Sequence, residues 1–212
     1  MIFLVLDTSS KYCSVALSVD GEVYNDTREI PRLHNKYLLS MIQEVFARSG
    51  VNIKDIDFIA YGVGPGSFVG VRLSAAVCQG FAVGLDIPVV GFSSMFALAK
   101  SVVTTSPKVA VILDAKMGDF YLGLYDRDKD QIIAEDVYKL EEFSKDLYSG
   151  YELVGESIEK LQIFNKDFKI DVSNVVDYVY KKYQEQKCSN SLTQETFPVY
   201  LRGTSHWHVK SN

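Results

Sequence analysis

Phe3-Leu4-Val5-Leu6-Asp7 is a short apolar run closed by an acid. Eight residues after Asp7 begins Val15-Ala16-Leu17-Ser18-Val19, closed by the turn Asp20-Gly21. The pattern returns at Ala110-Val111-Ile112-Leu113-Asp114, and eight residues after Asp114 comes Leu122-Gly123-Leu124-Tyr125, closed by Asp126-Arg127-Asp128. Each copy reads as a buried strand, a polar turn opening on Asp, and a second strand, which is a β-hairpin. The offset between the two acids is 107 residues, about half of the 212. A duplicated α/β unit is the economical explanation.

Outward from the first run, Leu33, Tyr37, Leu38, Met41, Ile42, Val45 and Phe46 fall on one helical stripe. They predict a helix over 33–48, stopped by Ser49-Gly50. Residues 56–63 read as a strand, 67–83 as a helix and 88–91 as a strand, with Ser93 or Ser94 capping a helix through Ala99-Lys100. In the second half, 140–148 and 172–186 read as helices, with a strand at 152–155 between them. A hairpin followed by alternating elements gives an α/β fold of mixed sheets, parallel at the centre and covered by helices. Composition supports two lobes. Residues 1–105 carry 17 charged side chains and 9 of the 14 glycines, whereas 106–212 carry 32 charges and 9 of the 13 tyrosines. The expected division is 1–103 and 104–199, with a tail over 200–212 returning to the first lobe.

The whole chain is 47% apolar and 23% charged, which is ordinary for a globular protein. A net charge of -5 argues against a dedicated nucleic-acid binder held by a basic face. Cys13, Cys78 and Cys188 are widely spaced and odd in number, suggesting neither a zinc site nor disulfides. The N-terminus lacks the basic start of a signal peptide. The weakly charged run from Leu73 to Phe96 is broken by Gly84, Asp86 and Pro88. These features predict a cytoplasmic protein without a membrane span.

The densest motif is Gly62-Val63-Gly64-Pro65-Gly66-Ser67-Phe68-Val69-Gly70-Val71-Arg72. Ser67 can cap a helix whose free N–H groups then face an anion site. Neither GxxxxGK followed by Ser or Thr nor GxGxxG fits the spacing, so a phosphate loop and a plain tight turn both stay open. Along the following helix, Ala76, Gly80 and Gly84 recur every fourth residue, the spacing that lets another element approach closely. That element is either the chain's own sheet or a partner helix. Only His34, His206 and His208 exist, and His206 and His208 lie two apart, which is a poor metal pattern. No GxSxG elbow occurs. Asp7 and Asp114 end matching strands, as in actin-like phosphotransferases, where such carboxylates hold magnesium or water. Here the first turn has the hydroxyls of Thr8 and Ser9 where glycine is needed, and the second has bulky Met117. The expected outcome is a retained fold with a vestigial nucleotide site at Asp7, Thr8, Ser9 and Asp114.

Five blocks now stand in order. They are Leu6-Asp7-Thr8-Ser9 with Cys13 to Leu17, His34 with Leu38-Leu39, Gly64 to Arg72, Leu113 to Tyr121, and Pro198-Val199-Tyr200-Leu201-Arg202. Together they resemble the bacterial TsaB (YeaZ) family of tRNA threonylcarbamoyladenosine biosynthesis proteins. The resemblance implies a duplicated two-lobe actin-like fold (the ASKHA, ribonuclease H-like class). It implies a non-catalytic scaffold that pairs with the catalytic subunit TsaD and the ATPase TsaE, or with a second copy of itself. The complex would place a threonylcarbamoyl group on the adenosine beside the anticodon of ANN-decoding tRNAs. ATP and Mg would sit on partner subunits, with no cofactor on this chain alone, and tRNA would be met only through the complex. The implied interface uses the two N-lobe helices, at His34, Leu38, Met41, Ile42, Val45, Arg72, Ala76 and Gly80. Peptidase chemistry finds no support. One departure is Val69, where the family usually has Thr. The alternative is an actin-like small-molecule kinase or other ATP-binding enzyme.

Overall fold

The computed structural model describes residues 1–156 and 169–199. The expectations for residues 200–212, including His206 and His208, lie outside the described residues.

Strands β1 (Ile2–Asp7), β2 (Tyr12–Val19) and β3 (Glu22–Glu29) form an antiparallel meander. After helix α1 (His34–Ser49), β4 (Phe58–Gly62) pairs parallel with β1. After α2 (Phe68–Leu85), β5 (Val89–Phe92) pairs parallel with β4. The first sheet has the order β3-β2-β1-β4-β5. Helix α3 (Ser94–Ser101) leads into a second meander of β6 (Lys108–Lys116), β7 (Asp119–Asp126) and β8 (Gln131–Lys139), joined by parallel β9 (Glu152–Gly155) in the order β8-β7-β6-β9. Helix α4 (Val176–Cys188) follows a 3₁₀ turn at Val172–Val175.

The repeat is therefore real in topology: each sheet places its first strand between an antiparallel and a parallel neighbour. It is not perfect in register. Leu6 faces Val15, but Leu113 faces Tyr121, one residue short of the offset, and a bulge at Asp114/Lys116 absorbs the difference.

Strand β1 is apolar on both faces because both are buried. Leu4 and Leu6 pack with Leu38, Met41, Ile42 and Val45 of α1 and with Ala75, Cys78 and Ala82 of α2. Phe3 and Val5 face a second core shared with α3, α4 and the inner face of the other sheet (Val109, Val111, Val154). Phe58 stacks on Phe3 at 4.4 Å and on Tyr183 of α4 at 4.1 Å, so α4 is seated on the first sheet. Gly50, at φ 70°, closes α1 by donating to Phe46 O. Ser67 Oγ accepts from Gly70 N at 3.3 Å, and Ser93 Oγ accepts from Phe96 N at 3.0 Å, so both serines cap as their positions suggest.

The expected helix over 140–148 is replaced by two 3₁₀ turns, Leu140–Glu142 and Lys145–Tyr148. Leu140, Phe143 and Tyr148 do pack on the outer face of the second sheet, beside Phe120 and Leu122. Short turns suffice because that cluster is small. Helix α2 is long and apolar enough to cross a membrane by length and composition, with mean hydropathy 1.5. Its inner face (Val71, Ser74, Ala75, Cys78, Ala82) is nevertheless buried against the fold.

Candidate functional site

Asp7 ends β1 with no solvent exposure. Its Oδ1 accepts from the N–H and the hydroxyl of Ser9, both at 2.7 Å, and its Oδ2 accepts from Ser94 Oγ at 2.6 Å. Burial pushes its pKa above the ordinary carboxylate value, and the hydrogen bonds from Ser94 and Ser9 only partly oppose that. Thr8 Oγ1 donates to Gly70 O at 2.6 Å, and Ser67 N donates to Ser9 O at 2.6 Å. The glycine loop is built onto this turn. A Cβ on Gly62 would overlap Asp7 Oδ2, one on Gly66 would press on Ser9 O, and one on Gly70 would overlap Thr8 O. The glycines are thus required for backbone-to-backbone approach. The hydroxyls of Thr8 and Ser9 and the carboxylate of Asp7, expected at a vestigial nucleotide site, are engaged in holding loop to turn. Among the described residues, no three His, Cys, Asp or Glu side chains cluster as metal ligands do.

Asp114 has different surroundings. Strand β6 runs two residues past it, so it does not end its strand as Asp7 does. Burial raises its pKa, but the hydrogen bonds and charge of Lys116 outweigh this and leave it below the ordinary value. The Lys116 Nζ lies 2.6 Å from Oδ2. Asp114 lines a cleft of about 1220 Å³ between the sheets, with Ser9, Pro65, Val69 and Met117 among the other walls. Cysteine chemistry has no foothold nearby: burial pushes the Cys13 thiol up to about 12 and Cys78 well above its ordinary value.

The helix pair needs a correction. Leu38, Met41, Ile42 and Val45, expected at a partner interface, are buried in the chain's own core. The apolar stripe of α1 is taken by the first sheet. His34 is partly buried, its Nε2 within 3.1 Å of Tyr12 O. The residues expected on α2 do face outward: Arg72, Ala76 and Gly80 are exposed. Arg72 stacks over the Phe68 ring at 3.2 Å. Between the helices lies an open groove of about 400 Å³, lined by Leu39, Ala76, Gly80, Phe81 and Gly84. Nothing lies within 4 Å of a Cβ built on Gly80 or Gly84. The chain's own packing does not require glycine at either position.

The family model "TsaD: tRNA N6-adenosine threonylcarbamoyltransferase" matches residues 27–196. The tRNA threonylcarbamoyladenosine biosynthesis protein TsaB of Haemophilus influenzae is 30% identical over 98% of this chain and 96% of its own length. The chain belongs to the TsaB family. The Escherichia coli TsaB is 38% identical over 134 residues, a stretch covering 62% of this chain and 58% of that relative. Among solved structures, YeaZ from Pseudomonas aeruginosa superposes with a TM-score of 0.79 at 27% identity, covering 94% of this chain and 99% of that one. These TsaB relatives are named for tRNA threonylcarbamoyladenosine biosynthesis, and the α/β two-lobe fold agrees with the resemblance.

Within that TsaB frame, sequence reasoning missed one residue of the groove. Leu39 is 56% exposed although it is as apolar as its neighbour Leu38. The available signal was its position off the buried stripe, one residue beyond Leu38, on a face otherwise made of Lys36, Gln43 and Ala47.

Proposed function

We propose that this chain is the non-catalytic scaffold of the machinery that forms threonylcarbamoyladenosine beside the anticodon of ANN-decoding tRNAs. It docks TsaD through the outward faces of α1 and α2, in the cytoplasm, and presents the pair to the ATPase TsaE. A second copy of this chain competes for the same faces. ATP and magnesium belong to the partners, and tRNA is met through the assembly.

The observation that carries this reading is the open groove floored by Ala76, Gly80 and Gly84, where glycine is unexplained by internal packing. Small residues on an exposed helix let a second helix backbone approach closely. The contact set differs from the one the stripe suggested. It comprises Leu39 of α1 with Ala76, Gly80 and Gly84 of α2, with exposed Arg72 one turn before them, while Leu38, Met41, Ile42 and Val45 are buried beneath. The commitment of Asp7 to Ser9 and Ser94 favours a scaffold over the kinase alternative, since a metal-holding carboxylate needs free oxygens.

The test is co-purification with the cognate TsaD and an assay for modified adenosine in tRNA. A Cβ added at Gly80 meets no atom within 4 Å, so Gly80→Leu adds its bulk at the open groove. It should weaken TsaD pairing at least about tenfold, equivalent to about 1.4 kcal/mol. Unchanged affinity would refute the docking face. Titration of the isolated chain with Mg-ATP should release no heat; micromolar binding abolished by Asp7→Asn would restore the kinase reading.

A further inference from the structure

A docking face needs more surface than the groove beside α2 supplies. The groove holds about 400 Å³, whereas a stable protein interface buries roughly 800 Å² on each partner. Towards α1 the apolar surface stops at Leu39. The other exposed residues of that helix, among them Lys36, Gln43, Glu44 and Arg48, are polar or small.

The opposite flank of α2 is different. Successive helical residues turn by about 100°, so residues two apart point to nearly opposite sides. Val77 and Phe81 line the groove towards α1, and Gln79 between them points the other way. There it holds residues 193–199 as a strap: its Nε2 donates to Gln194 O at 2.9 Å, and its Oε1 accepts from Thr196 N at 3.1 Å. Gln194 Nε2 donates to Asp86 Oδ1 at 2.6 Å, just past the end of α2, and Val199 N donates to Val63 O at 2.9 Å, shortly before its start. The strap therefore runs beside α2 from its last turn back to its first. Val89 N donates to Thr193 O at 2.7 Å, and a backbone hydrogen bond ties Phe197 to the Tyr61 hydroxyl. Between α1 and the strap stands the outer ridge of α2, Val69, Arg72, Ala76, Gly80 and Val83, spaced by three or four residues, with Arg72 the helix's only charge. Val83 is 67% exposed and Phe197 is 64% exposed, so the apolar surface continues across α2 onto the strap. With its backbone pinned, Phe197 loses little freedom when its ring is seated, and such aromatic side chains are the usual anchors of an interface.

We infer that the strap is the third element of the TsaD docking face, beside α1 and α2, and that Phe197 and Val83 seat against an apolar surface of the partner. The inference rests on the docking reading above and deepens it: the contact is a layer of two helices and a strap, not a groove alone.

Isothermal titration of the full-length chain with the cognate TsaD tests this. Phe197→Asp should weaken pairing at least about tenfold, as loss of an aromatic anchor does. The side chain is exposed and the strap is held through Gln79 and backbone groups, so the urea midpoint should stay at the wild-type value. Val103→Asp, the same charge on a fully exposed residue of the α3–β6 connection, should leave pairing unchanged. Pairing weakened by Gly80→Leu but not by Phe197→Asp would overturn the inference and leave the docking reading standing. Equal losses with Phe197→Asp and Val103→Asp would also overturn it, since added charge alone would then account for the effect. Pairing that ignores both Gly80→Leu and Phe197→Asp would sink the docking reading and, with it, this inference.

Discussion

Asp7 and Asp114 stand 107 residues apart in matching runs, and their surroundings are opposite. The first is sealed beneath the glycine loop, both oxygens engaged by Ser9 and Ser94. The second sits on a cleft wall, paired with Lys116, whose side chain is 75% exposed. The first turn has the glycine loop built tightly onto it, whereas the second turn holds positive φ at Lys116, Met117 and Gly118. In the first copy the turn is welded to the glycine loop at Gly62, Gly66 and Gly70.

The largest expected effect tests that weld. Gly70→Ala drives a Cβ into Thr8 O. It should cost about 3 kcal/mol or more, at the upper end for overpacking, because backbone and not a flexible side chain must yield. The counterpart in the second hairpin, Gly118→Ala, meets nothing within 4 Å. It pays only for its positive φ, about 1–2 kcal/mol. Urea unfolding of both variants checks the ranking, and equal costs would break the comparison.

Next come the acids themselves. Asp7→Asn replaces an acceptor of three hydrogen bonds with a group that offers one oxygen and a misplaced donor. A loss of about 1–3 kcal/mol is expected. Asp114→Asn loses a partly exposed ion pair with Lys116, and should cost under about 1 kcal/mol.

Their pH dependence should differ in sign. Asp7 has a folded pKa above its ordinary value of 3.8, so its protonated form stabilises the fold below 3.8 and that contribution is lost as pH rises through the folded value. Asp114 has a folded pKa below 3.8, so its contribution is present above 3.8 and lost as pH falls through the folded value. The stability difference between wild type and Asp7→Asn should shrink as pH rises through the window above 3.8, while that for Asp114→Asn should grow with pH in the window below it. Unfolding curves at stepped pH decide; slopes of the same sign would show that the two sites are alike.

Both hairpins, the order of α1 to α3 and the caps at Ser67 and Ser93 were legible because each leaves a local mark: an apolar run, a helical stripe, a hydroxyl before a helix. Strands β3 and β8 left none. They are edge strands with polar, half-exposed sequences such as Glu22-Val23-Tyr24-Asn25-Asp26, and the apolar alternation that announces a strand needs a buried face. The stripe of α1 was legible as apolar but silent about its neighbour. Periodicity fixes which residues share a face, and only the packed sheet determines whether that face turns inward. The close approach of Gly62, Gly66 and Gly70 to residues 7–9 was equally hidden, because a glycine motif looks the same whether it admits a phosphate or a piece of backbone.

The smallest stability effect is the one that separates core from contact within α1. Leu38 and Leu39 are adjacent, one buried at 1% exposure and one exposed at 56%. Leu38→Ala empties a site against β1 and should cost about 2–4 kcal/mol. Leu39→Asp touches solvent and should stay within about 0.5 kcal/mol of wild type by urea unfolding. If the groove is the docking face, that second substitution, nearly silent in stability, should reduce TsaD pairing as Gly80→Leu does, since it places a charge where an apolar helix must seat. Pairing lost with Leu38→Ala but kept with Leu39→Asp would mean that the stripe acts only through the fold and that the partner binds elsewhere.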